Sequence, residues 1–181
     1  FDEMIKYVGK NKGFYVGRYE TSLNSSNNAQ SISGATSATA ESGSANTWYG
    51  LYQKDKEYST KNNLTNVVGS SMIWGSQYDQ MVIWMQGNGI VVTEKTPINL
   101  EGKTTSRNTA RTTGTEPNDK LNNIYDLLGN STEWTLEKYD SMGRTLRGVN
   151  FNSSYSPINR SLSCPFRPSN SDSARLTLYI K

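Results

Sequence analysis

Ile124-Tyr125-Asp126-Leu127-Leu128-Gly129-Asn130-Ser131-Thr132-Glu133-Trp134-Thr135 is the stretch on which the fold turns. Its apolar residues run into a Gly-Asn pair, a strong turn signal. The residues that follow, 132–137, are rich in β-branched and aromatic side chains and read as a strand, with Trp134 directed to the core. Two further strand-like runs, 145–151 and 176–180, close the chain, and Leu146 and Leu178 are expected to join Trp134 in the core.

Upstream, Met4, Ile5 and Val8 recur at helical spacing over residues 2–10, and Asn11-Lys12-Gly13 stops the pattern. Residues 13–20 read as a strand. Residues 21–46 are mostly Ser, Asn, Ala, Thr and Gly, which offer almost nothing to bury, so a mobile surface loop is expected there. A second helix is predicted over 76–85, with Tyr78, Met81, Val82, Trp84 and Met85 on its apolar face, Ser76 as N-cap and Gly87 as stop. Another polar loop spans 99–119. Helices near the front and strands bunched at the back give an α+β class, two helices packed on antiparallel sheets with long irregular loops. The length of 181 residues suits one domain, 1–181, and an opening at Phe1 inside a helical pattern suggests a fragment of a larger protein.

The net charge is +3, but the 19 Lys and Arg are scattered, so the clustered cations of a nucleic-acid interface are missing. No apolar run is long enough to insert in a membrane. With Cys 1 and His 0, an intramolecular disulfide, the commonest general base and the commonest neutral metal ligand are all excluded. Catalysis would fall to carboxylates, Lys or Tyr. Asp79, Glu116, Asp119 and Asp126 have no spacing that marks a catalytic pair, and Cys164 has no adjacent base to lower its pKa. This balance favours binding over catalysis, with no catalytic residue assigned.

The Gly129-Asn130-Ser131-Thr132-Glu133-Trp134 block resembles the Gly-Asn-x-x-Glu-Trp signature of the formylglycine-generating-enzyme superfamily. Arg147-Gly148-Val149-Asn150-Phe151 is similar to its Arg-Gly-Gly-x-aromatic strand, Ser173-Ala174-Arg175 stands in place of its terminal Gly-Phe-Arg, and residues 13–20 match its opening strand. The resemblance implies a C-type-lectin-like fold. It also implies a place for calcium, since related enzymes hold that ion at this turn: Glu133 with carbonyls around Gly129 and Ser131 is the candidate, the alternative being that Glu133 bonds the turn's backbone. The enzymes of the family use a Cys-x-x-x-x-Cys pair. Here Cys164 has Asn159 and Ser169 five positions away, so that chemistry lacks its second thiolate. No other cofactor is expected.

The segment from Gly143 to Ile180 contains no Lys, Glu, Gln, Met or Trp, although all five types recur before it. These are residues whose codons cannot end in C, so the bias matches Asn AAC codons randomised at their adenines. In this respect residues 145–181 resemble the variable region of lectin-fold proteins diversified by retroelements. The positions expected to form a ligand-binding face are Asn150, Asn152, Ser153, Tyr155, Asn159, Ser161, Leu162, Ser163, Phe166, Arg167, Asn170 and Ser173, outward-pointing and close together. Tyr155 and Phe166 offer rigid contact area, Ser and Asn adaptable hydrogen bonds, and Arg160 and Arg167 forked donors. The expected function is a non-catalytic receptor or adhesin domain on a bacterial surface or phage virion. Its expected partner is a protein or glycan on another cell, and nucleic acid is not expected. The rival readings are a cysteine-poor relative of the enzyme acting on a polypeptide, and a purely structural surface module.

Overall fold

The computed structural model describes residues 2–39, 47–90, 110–115, 117, 120–127, 129–151 and 158–181. The first helix, α1 (Asp2–Asn11), forms where the apolar spacing places it and buries Met4. The expected strand over 13–20 is reduced to β1 (Tyr15–Val16). Beyond it the backbone keeps bonding the C-terminal segment irregularly, Gly17 N donating to Leu176 O at 2.7 Å and Thr21 N to Ala174 O at 2.8 Å.

Residues 21–39 correct the expectation of a mobile loop. They contain the hairpin β2 (Ser22–Leu23) and β3 (Ala29–Gln30), and Thr21, Ser22, Ser37 and Ala38 are all buried. Small polar side chains are held inside here by hydrogen bonds rather than by apolar area: Thr21 Oγ1 donates to Asp55 Oδ1 at 3.0 Å and Ala38 N to Thr21 O at 2.8 Å. The rest of that predicted loop, 40–46, lies outside the described residues, as does most of 99–119.

Among the described residues three helices form, where two were expected. The additional one, α2 (Trp48–Lys61), buries Trp48, Leu51, Asp55 and Ser59. That face has helical spacing, but its last two turns are polar, so a search for apolar periodicity sees one turn only. Ser70 on β4 (Val68–Met72) completes the match: its Oγ accepts from Ser59 N at 2.9 Å and donates to Lys56 O at 2.9 Å. The next helix, α3 (Gly75–Gly87), buries Tyr78, Met81, Val82 and Met85. Its N-cap is Trp74 rather than Ser76, with Gln77 Oε1 accepting from Trp74 N at 2.9 Å, and Asn88 is the C-cap. A Cβ at Gly75 would overlap the Glu137 side chain where it now lies, so a larger residue there would displace that carboxylate.

The remaining strands are β5 (Thr132–Lys138), β6 (Arg144–Arg147), β7 (Arg160–Ser163), β8 (Asp172–Ala174) and β9 (Leu176–Ile180). Besides the two-stranded β2-β3 sheet, the described residues form a three-stranded sheet of order β1-β9-β4 and a four-stranded sheet of order β7-β6-β5-β8. All pairings are antiparallel except that of β5 with β8, which is parallel.

Two cores result. Ile73, Tyr78, Met81, Val82 and Met85 pack with Leu121, Ile124 and Leu127, while Trp48, Leu51, Met72, Trp134, Leu146 and Ala174 form the second. Trp134 and Leu146 are buried as expected, but Leu178 is only half-buried; Leu176 and Tyr179 are the buried apolar residues of β9. Val149, standing where the resemblance has a second glycine, is fully buried. Gly148 does need to be glycine: its φ is +75°, and a Cβ would press on Leu127 O.

Candidate functional site

The motif that decides the fold also builds the floor beneath the C-terminal segment. Asn130 sits at φ 65°, a left-handed conformation that Asn tolerates. Its Nδ2 donates to Glu20 Oε2 at 2.6 Å, its Oδ1 accepts from Arg111 N at 2.7 Å, and its carbonyl accepts from Phe151 N at 2.9 Å. Glu20 Oε1 accepts from Ser131 N at 2.9 Å and Glu20 Oε2 also accepts from Ser37 Oγ. Glu20, not Glu133, therefore satisfies the backbone of the turn.

Glu133 has a different role. Its Oε1 accepts from Arg175 Nε at 2.7 Å and from Nη2 of the same guanidinium, and both side chains are buried. Arg175 Nη1 and Nη2 also donate to the carbonyls of Gly17 and Tyr125, each at 2.9 Å. One guanidinium thus joins four stretches of chain. Burial pushes the carboxyls of Glu20, Glu133 and Asp126 above the usual range, Asp126 and Glu133 adding to the shift of Glu20, while Arg175 opposes that of Glu133. At the position expected for calcium, Glu133 Oε1 is engaged by Arg175 while Oε2 has no hydrogen-bond partner, and among the described residues no group of three or more carboxylate or thiol side chains is placed to hold a metal.

Above this floor lie the expected ligand-binding positions. Leu162 is 49% and Phe166 70% exposed, and Arg167 and Asn170 are exposed as well. Asn150, Asn159, Ser161 and Ser163 are half-buried. Ser173 is a correction: it is fully buried on β8, paired with Glu133 and donating to Thr21 O at 3.3 Å, so it cannot touch a ligand. Asn152, Ser153 and Tyr155 lie outside the described residues.

The positions on β7 do not all share a face. Leu162 pairs with Thr145 and Ser161 with Leu146, and alternation along a strand sends Leu162 to one side of the sheet and Ser161 and Ser163 to the other. Arg160, on the Leu162 side, is no free donor: its Nη2 bonds Asp79 Oδ2 and its Nε lies 3.2 Å from Glu137 Oε1. Arg147 shares that Asp79 at 2.8 Å, its guanidinium 4.5 Å above the Tyr78 ring. Asp79 is therefore a structural carboxylate, as is Asp126, which accepts from Gly114 N at 2.8 Å. Glu116 and Asp119 lie outside the described residues. Cys164 is exposed and free.

Phe166 is braced from beneath by a helix that the sequence pattern did not reveal. Its ring lies 5.0 Å from that of Tyr49, itself 45% exposed. Tyr49 meets Trp48 edge-on at 4.9 Å, and Trp48 stacks on Tyr52 at 5.3 Å. Trp48 is fixed in turn, its Nε1 donating to Thr135 O at 2.8 Å and Arg144 lying 4.6 Å over its ring. The outcome is an exposed aromatic plate on a rigid base. Tyr49 belongs to this surface although it precedes the compositionally biased segment by some hundred residues; only the burial of Trp48 beside it could have signalled its place.

No family model matches the chain, and no curated protein matches it. Among solved structures, Treponema denticola variable protein 1 is similar with a TM-score of 0.55 and 16% identity, over 72% of this chain and 68% of that one. CarF is similar with a TM-score of 0.57 and 11% identity, over 99% of this chain and 82% of its own. The fold is C-type-lectin-like. Within this lectin-like fold the biased C-terminal segment supplies β6, β7, the connection carrying Phe166 and Arg167, the buried strand β8 and the largely buried β9. It therefore mixes surface positions with scaffold.

Proposed function

We propose that this is a non-catalytic ligand-binding domain whose recognition surface lies around the 164–170 connection and both sides of β7, with Leu162 on one side and Ser161 and Ser163 on the other. Its diversified positions are Asn150, Asn159, Ser161, Leu162, Ser163, Phe166, Arg167 and Asn170 together with Asn152, Ser153 and Tyr155, which lie outside the described residues. The observation that carries this reading is the division within one stretch of chain. Leu162, Phe166, Arg167 and Asn170 face solvent, whereas Leu146, Arg147, Val149 and residues 172–177 are buried. A segment of that kind tolerates variation at its exposed positions while its scaffold holds them in place. The similarity to a protein named as variable supports the same reading.

The resemblance to the formylglycine-generating enzymes is read as shared ancestry of the scaffold. Its Gly-Asn-x-x-Glu-Trp residues are engaged in the internal network of Glu20, Asn130, Glu133 and Arg175. The single exposed Cys164 leaves no thiol pair for the enzymes' chemistry. The partner is proposed to be a protein or glycan on another cell, met at a bacterial surface or by a phage virion. The test is the DNA around the gene. A near-duplicate of its 3′ end, differing at adenines and lying beside a reverse transcriptase, supports the reading. Flanks without such a repeat, together with the same tail sequence in every isolate, overturn it.

A further inference from the structure

We propose that a polar cleft between the β2–β3 turn and α2 is a separate, constant binding site for a carboxylated saccharide. The cleft has a volume of about 360 Å³, within the roughly 300–1,000 Å³ of small-ligand sites. Its walls are Ser26 and Asn28 on the turn and Gln53, Lys54, Glu57 and Lys61 on the helix. All of these precede the biased C-terminal segment, so the site does not rest on the variable-surface reading.

Both walls are set before a ligand arrives. Asn24 Oδ1 accepts from Ser26 N and from Asn28 N, each at 3.0 Å, which fixes the turn. Gln53, Glu57 and Lys61 stand at four-residue intervals on one stripe of α2. Gln53 Nε2 donates to Glu57 Oε1, and Lys54 Nζ reaches across to Asn27 O at 3.0 Å. The lining includes no aliphatic or aromatic side chain, so an apolar ligand would gain nothing by entering. Amides, a hydroxyl, a carboxylate and ammonium groups instead alternate donors with acceptors at short range, which suits a ring carrying several hydroxyls, each both donor and acceptor.

Charge selects within that class. Two ammonium groups face one carboxylate. Lys54 is committed to Asn27 and Glu57 to Gln53, and among the described residues Lys61 has no carboxylate within ion-pair distance. A ligand carboxylate near Lys61 Nζ would supply the missing partner, while the ring hydroxyls exchange hydrogen bonds with Asn28, Gln53 and Glu57. A lone ammonium without a guanidinium fork suits a monoanion.

The experiment is a heteronuclear NMR titration of the full chain with glucuronate, and with glucose and acetate as controls. The expected result is saturable shifts at the amides of Asn28, Gln53 and Lys61, with glucose and acetate at least about tenfold weaker. Lys61→Ala, at an exposed position, should weaken glucuronate about fivefold with the melting temperature unchanged, and Phe166→Ala should leave it unaltered. Absence of saturable shifts, equal binding of glucose or acetate, or indifference to Lys61→Ala overturns the proposal. A loss in Phe166→Ala also overturns it, because the ligand would then sit on the variable face.

Discussion

Replacing Arg175 by Met tests the internal network most severely. The guanidinium is fully buried and makes four hydrogen bonds: two to Glu133, one to Gly17 O and one to Tyr125 O. Met keeps much of the volume, so the cavity term is small. What is lost is the counter-charge of a buried carboxylate, whose removal costs about 3–5 kcal/mol in comparable pairs, together with partners for two carbonyls. A loss on the order of 5 kcal/mol takes a large share of the roughly 5–15 kcal/mol of a typical domain. The loss should also depend on pH in a defined direction. Burial already raises the Glu133 carboxyl above 4.5, and Arg175 is its largest restraint. Without Arg175 the folded protein holds that proton to higher pH than the unfolded chain does. In wild type the folded Glu133 value already lies above the unfolded one, so the deficit of Arg175→Met should be smallest at acidic pH, where Glu133 is protonated in both proteins, and grow as pH rises above the wild-type folded value toward the higher value of the variant. Urea unfolding followed by Trp fluorescence at several pH values reads both effects. A deficit below about 1 kcal/mol at neutral pH, or one that grows on acidification, would refute the reasoning.

Three further outcomes are expected. Burial pushes the Asp55 carboxyl up to about 7, so folded protein keeps a proton that unfolded chain releases; stability contributed by this group falls as pH rises from about 4 to 7, by up to about 1.4 kcal/mol per unit. Asp55→Asn should flatten the stability curve across that window, and an unchanged slope would remove Asp55 from the account. Trp134→Ala and Leu146→Ala should each cost about 3 kcal/mol or more and half-buried Leu178→Ala clearly less, which denaturant midpoints will rank; equal losses at all three would contradict the placement of β9. Finally, simultaneous substitution of Leu162, Phe166, Arg167 and Asn170 by Ser should shift stability by no more than about 0.5 kcal/mol per site, whereas Ser173→Leu, inside the sheet, should be strongly destabilising. A collapse of the fourfold surface variant would show these positions to be scaffold.

The places where residue pattern and structure part follow one physical rule. Where apolar side chains recur at helical spacing, as in α3, or a Trp follows the Gly-Asn turn, as in β5, the element was legible. Elements buried through polar groups were not. The inner face of α2 ends in Asp55 and Ser59, and β4 buries Gly69 and Ser70 beside Met72; nothing in the composition of either stretch announces that a partner hydroxyl or amide waits opposite. The surface behaved similarly. The biased composition marked the C-terminal segment, but Ser173 and Ser161 carry the same side chain, and only strand pairing decides that the first is sealed against Glu133 while the second keeps part of its surface.

The sequence by itself determined the Gly-Asn turn and the strand that follows it, the α+β class, the absence of a second thiol, and the bias that singles out the C-terminal segment. Those are local or compositional properties, carried by residue type and spacing. Only the tertiary structure decided that Glu133 holds Arg175, that Glu20 from the far end of the chain serves the turn, and that Tyr49 supports Phe166. Each of these joins residues tens to more than a hundred positions apart, and hydrogen bonding and ring packing between such groups depend on distances that exist only once the chain has folded.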